Sequence, residues 1–222
     1  MNNMSTQPQA VPATATNNMM GLVSDQAAWV YSQFRGQPLV LDQLDIQDEP
    51  LYDNVTYAAG TGVVNNNTSQ WFTNVGPNSG KNNPADTNLR LANQLPVPEA
   101  FAIMGIRLCP SENVLGLDWL SIINGFAFTL WLNTKQYNTG NIRHYVAGIG
   151  TYASTTLGDT QWLANGFPGL NAAHLLSLPL VITNALTFFA QLLGATPYTL
   201  NAGGTGLRFL LELVGLHARA VA

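Results

Sequence analysis

Charge is what this chain has least of. Arg, Lys, Asp and Glu make up 9% of its 222 residues, against roughly a quarter in an ordinary soluble domain. Twelve acids, eight bases and a net charge of −4 supply no basic face to neutralise a phosphate backbone, which argues against direct nucleic-acid binding. The single cysteine, Cys109, excludes an intramolecular disulfide and a multi-cysteine metal site. A secretory leader is missing from residues 1–20, which are rich in Asn, Gln, Thr and Ala and carry neither a basic start nor an apolar core. The chain is therefore expected to be made in a cytoplasm and to stay there unless lysis releases it. Unbroken apolar runs are missing too. The most apolar stretch, residues 175–193, is interrupted by Ser177, Pro179, Thr183, Asn184, Thr187 and Gln191, so two strands around a turn at Thr183 and Asn184 are expected instead of a membrane-spanning helix. With so few ions, little of the surface can be of the charged, solvated kind. Something other than water is expected to cover much of it.

What the chain does have is alternation. Ile122, Phe126, Phe128, Leu130 and Leu132 fall on one face of a pleated strand, with Ile123, Ala127, Thr129 and Trp131 on the other. Similar patterns predict eight strands, at residues 38–46, 70–75, 101–108, 121–137, 142–149, 175–182, 186–193 and 206–221. The tetrad Asn138-Thr139-Gly140-Asn141 reads as a hairpin turn between the fourth and fifth. In the last segment Leu207, Phe209, Leu211 and Leu213 share a strand face, but a helix would also group Leu207, Leu210, Leu211 and Val214, and periodicity alone leaves both open. Residues 24–34 read as a short helix behind Ser24, with strand as the competing reading. Residues 60–94 and 150–171 are crowded with Asn, Gly, Pro and Thr and read as long loop insertions. The expected organisation is a flexible N-terminal arm, residues 1–20, which orders against a neighbour, followed by one all-β domain, residues 21–222. Eight antiparallel strands in two facing sheets make a jelly-roll sandwich.

Chemical motifs are weak. His144, His174 and His217 lack the spacing that presents two imidazoles to one zinc, and each falls in or beside a strand. Asp42, Asp45, Asp48, Glu49 and Asp53 offer carboxylates to calcium, but not at the spacing of an EF-hand. Gly148, Gly150 and Ala153 outline a dinucleotide fingerprint with no helix behind it. Neither Lys81 nor Lys135 lies in a phosphate-binding loop, and no nucleophile elbow occurs. Glu99 with Glu112, or Asp118 with Asp159, would suit glycoside hydrolysis only if the fold joined them. Cys109, two residues after Arg107, reads as a small buried hydrophobe. The sequons at Asn54, Asn66 and Asn67 read as ordinary loop residues without a secretory route. No catalytic, cofactor-binding or metal-ligating residue is assigned, and the chain is not expected to be an enzyme.

The segments Thr87-Asn88-Leu89, Gln94-Leu95-Pro96-Val97-Pro98, Glu99-Ala100-Phe101 and Gly105-Ile106-Arg107-Leu108 resemble the approach to the core in single jelly-roll capsid proteins of tailless icosahedral bacteriophages. Pro179-Leu180-Val181-Ile182 resembles a later strand of such proteins. The stretch Phe209-Leu210-Leu211-Glu212-Leu213-Val214-Gly215-Leu216-His217-Ala218-Arg219 resembles their closing strand. The resemblance covers about residues 85–222, and the chain is too short for the double-barrel members of that lineage. It implies a virion shell subunit that associates with its own copies and other capsid proteins, with or without an internal viral membrane beneath, and with the arm tying neighbours together. Trp29, Trp71, Trp119, Trp131 and Trp162 would then serve salt-insensitive contacts, at least half of them in the core and Trp131 first among those. Two rival readings are a carbohydrate-binding β-sandwich spike or lectin-like module, with Trp71 or Trp162 stacking on sugar, and a cupin-like jelly-roll enzyme.

Overall fold

Long runs of alternating apolar residues dominate the second half of the chain, and they form strands. The computed structural model describes residues 44–75, 81, 83–110, 114–145, 152–153, 163–164, 173–204 and 206–220, all within one unit, Leu39–Ala222. In chain order the elements are β1 (Leu44–Asp48), β2 (Leu51–Tyr57), β3 (Val63–Val64), β4 (Gln70–Trp71), β5 (Ala100–Pro110), α1 (Gly116–Gly125), β6 (Phe126–Leu132) and β7 (Lys135–Asn141). A 3-10 turn (Ile142–Tyr145) follows, then β8 (Tyr152–Ala153), β9 (Leu163–Ala164), β10 (His174–Thr183), β11 (Phe188–Gly194), β12 (Tyr198–Thr199) and β13 (Leu207–Ala220). The larger sheet runs β1, β13, β5, β10, with β2 also bonded to β13, and the smaller runs β4, β11, β6, β7. All these pairings are antiparallel. Their apolar faces meet in one core. Trp71 of the smaller sheet sets its ring edge-on to Phe209 of the larger at 5.3 Å. Its Nε1 donates to the Phe209 carbonyl at 2.9 Å. The architecture is the expected all-β antiparallel sandwich.

A line of irregularities crosses the larger sheet. β1 pairs with β13 from Leu44↔Ala220 to Asp48↔Leu216, and β2 continues in the same register from Leu51↔Leu213 to Tyr57↔Leu207. The two are one strand broken at Glu49-Pro50, where proline has no N–H to give the ladder. Opposite the break, β13 pairs Val214 with Gly105 but Gly215 with Ile103, so Met104 bulges from β5. One strand further, β10 pairs Leu175 with Gly105 and then Leu180 with Ile103, leaving residues 176–179 outside the ladder. Bulges bend a strand and raise its twist. Lined up across the sheet, they curl it around the core. Gly215 is indispensable to this line, because a Cβ there would lie 1.9 Å from the Ala102 carbonyl oxygen.

Several expected boundaries shift. Residues 121–137 are not one strand: α1 occupies residues 116–125 and hands over directly to β6. Trp119, Ile122 and Ile123 are buried at helical spacing, and the period-two pattern begins only at Phe126. The hairpin turn is Asn133-Thr134, not the tetrad 138–141, which belongs to β7. Asn133 adopts φ +51°, its Oδ1 accepts from the Thr187 backbone N–H at 2.9 Å, and its own N–H donates to the Thr187 carbonyl at 2.7 Å. That anchor comes from β11's approach, so local composition does not announce it. Residues 142–145 form a turn instead of starting a strand. The expected strand at 70–75 stops at Trp71, since Phe72 takes φ +68°. The first expected strand begins only at Leu44 within the described residues, and β2 was not expected at all. The segment 206–220 is a strand, with Leu207, Phe209, Leu211 and Leu213 buried as the alternation requires. The arm at 1–20, the helix at 24–34, Trp29, Asp42, Glu112, Gly148, Gly150, Asp159 and Trp162 lie outside the described residues.

Replacing Gly215 by alanine is expected to cost about 3 kcal/mol in urea unfolding, because both backbones are locked in ladders. Gly203→Ala, with nothing within 4 Å, should stay within about 0.5 kcal/mol of wild type. Equal stability of the two variants would contradict the close approach.

Candidate interaction surface

The interior polar groups hold the fold together. Asp53 on β2 is fully buried; its carboxylate accepts from the Phe72 N–H at 2.6 Å and from Lys81 Nζ at 3.0 Å to each oxygen. Burial pushes the Asp53 carboxyl above its usual range, against the opposing pull of Lys81 and the Phe72 N–H. The carboxylate fixes Phe72 in its left-handed conformation, where β4 ends. Asp45 and Asp48 are exposed, while Glu49 pairs with Arg219 at 2.5 Å. The described part of the acidic stretch is thus divided between solvent, the Asp53–Lys81 pair and a half-buried pair. Among the described residues no three His, Cys, Asp or Glu side chains gather as metal donors.

The histidines sit on three different elements. His144 is exposed in the 3-10 turn, and His174 on β10 meets the Tyr145 ring at 5.0 Å. His217 on β13 is 2% exposed and reaches Glu99 at 3.1 Å. Glu99 therefore has an imidazole as its partner. Asp118 is buried on α1 and accepts from Tyr198 Oη at 2.7 Å and from Asn201 Nδ2 at 2.5 Å, clamping the loop after β12. Cys109 is half-buried on β5, in register with Leu210. Glu99, Asp118 and His217 stand out in the sequence, but these contacts do not, since Tyr198 and Asn201 lie 80 and 83 positions from Asp118 and Glu99 lies 118 from His217.

Among the described residues, half of the chain's twenty Asp, Glu, Lys and Arg side chains are taken up in ion pairs. Of the eight basic residues, Lys81, Arg90, Arg107, Arg208 and Arg219 are in ion pairs, with Asp53, Glu99, Glu212, Asp86 and Glu49 respectively. Large apolar side chains point outward instead. Val97, Leu117, Leu175 and Leu178 are each more than half exposed. Two of them lie on β10, the edge of the larger sheet among the described residues, whose ten residues include no Asp, Glu, Lys or Arg. Edge strands are ordinarily protected by charge. Here only Pro179 and the displaced residues 176–179 interrupt the edge.

The outer face of the smaller sheet is uncharged as well. Trp131 is half-buried there instead of in the core, because Phe126, Phe128, Leu130 and Leu132 take the inward positions of β6. Its ring stacks parallel on Phe189 of β11, with centroids 5.9 Å apart. Beside it Gln70 Nε2 donates to Gln191 Oε1 at 3.4 Å. Trp71 and Trp119 are core residues. At one end of β6 and β11 an open cleft of about 420 Å³ is lined by Asn124, Asn141 and small or apolar residues, with no ionisable group. Among the described residues no helix is long and apolar enough to cross a membrane. Comparison with known proteins finds no matching family model, and neither a curated protein nor a solved structure that matches the chain.

Asp53→Ala should destabilise the fold by about 3 kcal/mol, since it strips a buried ion pair of one partner and leaves the Phe72 N–H without its acceptor. Chemical denaturation measures this, and a loss below about 1 kcal/mol would mean that Asp53 holds nothing in place.

Proposed function

We propose that this chain is a structural capsid subunit, a single jelly roll that assembles with neighbouring copies and other capsid proteins into an icosahedral virion shell. The observation that carries the reading is the conjunction of internally paired ions with an uncharged, leucine-bearing sheet edge. Such a surface suits burial against other protein, as in obligate interfaces, which are large and apolar. The strand order supports the jelly roll. With β1 and β2 counted as the first strand and β4, β5, β6, β7, β10, β11 and β13 as the second to eighth, one sheet reads 1-8-3-6 and the other 2-7-4-5. First pairs with eighth, second with seventh, third with sixth and fourth with fifth, the order of a long hairpin rolled up on itself.

Lectin-like modules and cupins use the same roll, so fold alone does not choose among them. Against the sugar-binding reading, Trp71 has its ring in the core and its Nε1 on a carbonyl, which removes it as a stacking platform. Against the enzyme reading, the buried carboxylates and His217 have structural partners. An underlying membrane and residence in the virion belong to the same proposal.

Sedimentation velocity and negative-stain imaging of the full chain, alone and co-expressed with its companion shell proteins, test the proposal. Wild type is expected to form large closed particles. The Leu175→Lys, Leu178→Lys double variant is expected to stay small while its melting temperature moves by no more than about 3 °C. A wild-type chain that remains monomeric at high concentration in both settings would contradict the proposal, as would free sugar-binding or turnover by that monomer.

A further inference from the structure

Near the C-terminal end of β13, on the far side of the line of bulges, three ionisable groups converge on one buried ring and a fourth, Arg90, stands behind one of them. His217 shares its register position with Phe101 of β5 on one side and Gln47 of β1 on the other. Its ring meets Phe101 edge-on at 5.7 Å. Glu99, just ahead of β5, places Oε2 3.1 Å from His217 Nε2, and Arg90 lies 3.7 Å from the other Glu99 oxygen. Arg219, two residues along β13, donates its Nε–H to His217 Nδ1 at 3.2 Å. Glu49, in the break between β1 and β2, forms an ion pair with Arg219 at 2.5 Å, and its buried Oε2, which accepts no hydrogen bond, lies 3.8 Å from His217 Nδ1.

These contacts fix the protonation state of the ring. A carboxylate can only accept, so Nε2 carries the proton that faces Glu99. A guanidinium can only donate, so Nδ1 is bare. A second proton has one place to go, Nδ1, where it meets the Arg219 N–H head-on. Glu49 Oε2 is the acceptor within reach, less than an ångström beyond hydrogen-bond distance. Glu49 also belongs to neither β1 nor β2, so it can close that gap without breaking a ladder bond.

We propose that His217 is a proton-operated latch at the β1–β2 break: neutral, it holds Arg219 on Nδ1; protonated, it takes Glu49 and releases Arg219. The element under its control is β1, the strand that residues 1–43 lead into. The latch belongs to the fold itself and does not depend on the assembly proposal. Burial, reinforced by Arg219, holds the imidazole below its usual value, against the pull of Glu99 and Glu49. Because the folded value lies below the unfolded one, the stability contributed by neutral His217 is complete above the ordinary histidine range. It is lost as pH falls through that range.

Nitrogen-detected NMR of the full-length wild-type chain tests the latch. At about pH 7.5 the His217 imidazole is expected to be the Nε2–H tautomer. On acidification Nδ1 should gain its proton and the Arg219 Nε–H should exchange with water at least about tenfold faster. In thermal melts wild type should lose about 3 °C between about pH 7.5 and about pH 5.5, a loss that His217→Gln should not show. An Nδ1–H tautomer at neutral pH, or an Arg219 exchange rate that does not change through the titration, would overturn the proposal. The wild-type titration decides the matter even if the glutamine variant does not fold.

Discussion

Strand β13 is the member on which the rest of the structure depends. Its fourteen residues pair with β1 and β2 along one edge and with β5 along the other, so only β10 of the larger sheet is not bonded to it. Its inward residue Phe209 also receives the smaller sheet, through the Trp71 ring and the Trp71 Nε1 hydrogen bond. A strand bonded along both edges for most of its length, with one face in the core, has most of its backbone groups committed and no register to slip into. The curl of the larger sheet follows from β13 as well: Gly215 lets the Ala102 carbonyl come close, Pro50 breaks the neighbour on one side, and Met104 bulges on the other.

Scarcity of charge works through this frame. A chain with few ions could leave them at the surface for solubility. Here Asp53 is buried with Lys81, Arg107 faces Glu212 across two strands at 2.8 Å, and Glu49, Glu99 and Arg219 gather around His217. What remains outside on β10 is leucine surface, with Leu175 and Leu178 more than half exposed. Water covers such a surface poorly, and contiguous patches of this kind mark places where protein meets protein. This link between composition and assembly is the physical content of the capsid proposal.

Strands with a clean two-residue period were legible in the sequence. β5, β10, β11 and β13 stand close to where alternation puts them, and the choice between strand and helix at residues 207–220 went to strand because both edges of β13 find partners. Elsewhere tertiary contacts overrode local pattern. Asp53 interrupts the apolar alternation of β2, and the half-buried Lys81 together with the Phe72 N–H explains why a carboxylate points inward. Ile122 and Ile123 fit a helix face and a strand equally well, so the change from α1 to β6 left no mark before Phe126. Trp131 looked like a core residue by its size, yet its neighbours had already filled the inward positions. The cluster around His217 was the least legible feature, since Glu99 and Glu49 lie far from it in sequence and share no motif.

Strand β13 binds both sheets into one cooperative unit. Native-state hydrogen exchange of the full-length chain tests it most directly, by giving an opening free energy for each backbone amide. The amides of β13, β5, β6 and β11 should share the highest value and reach it together, as groups released only by global unfolding. If β13 opened at a distinctly lower free energy than β6 and β11, the smaller sheet would stand without it, and the claim would be contradicted.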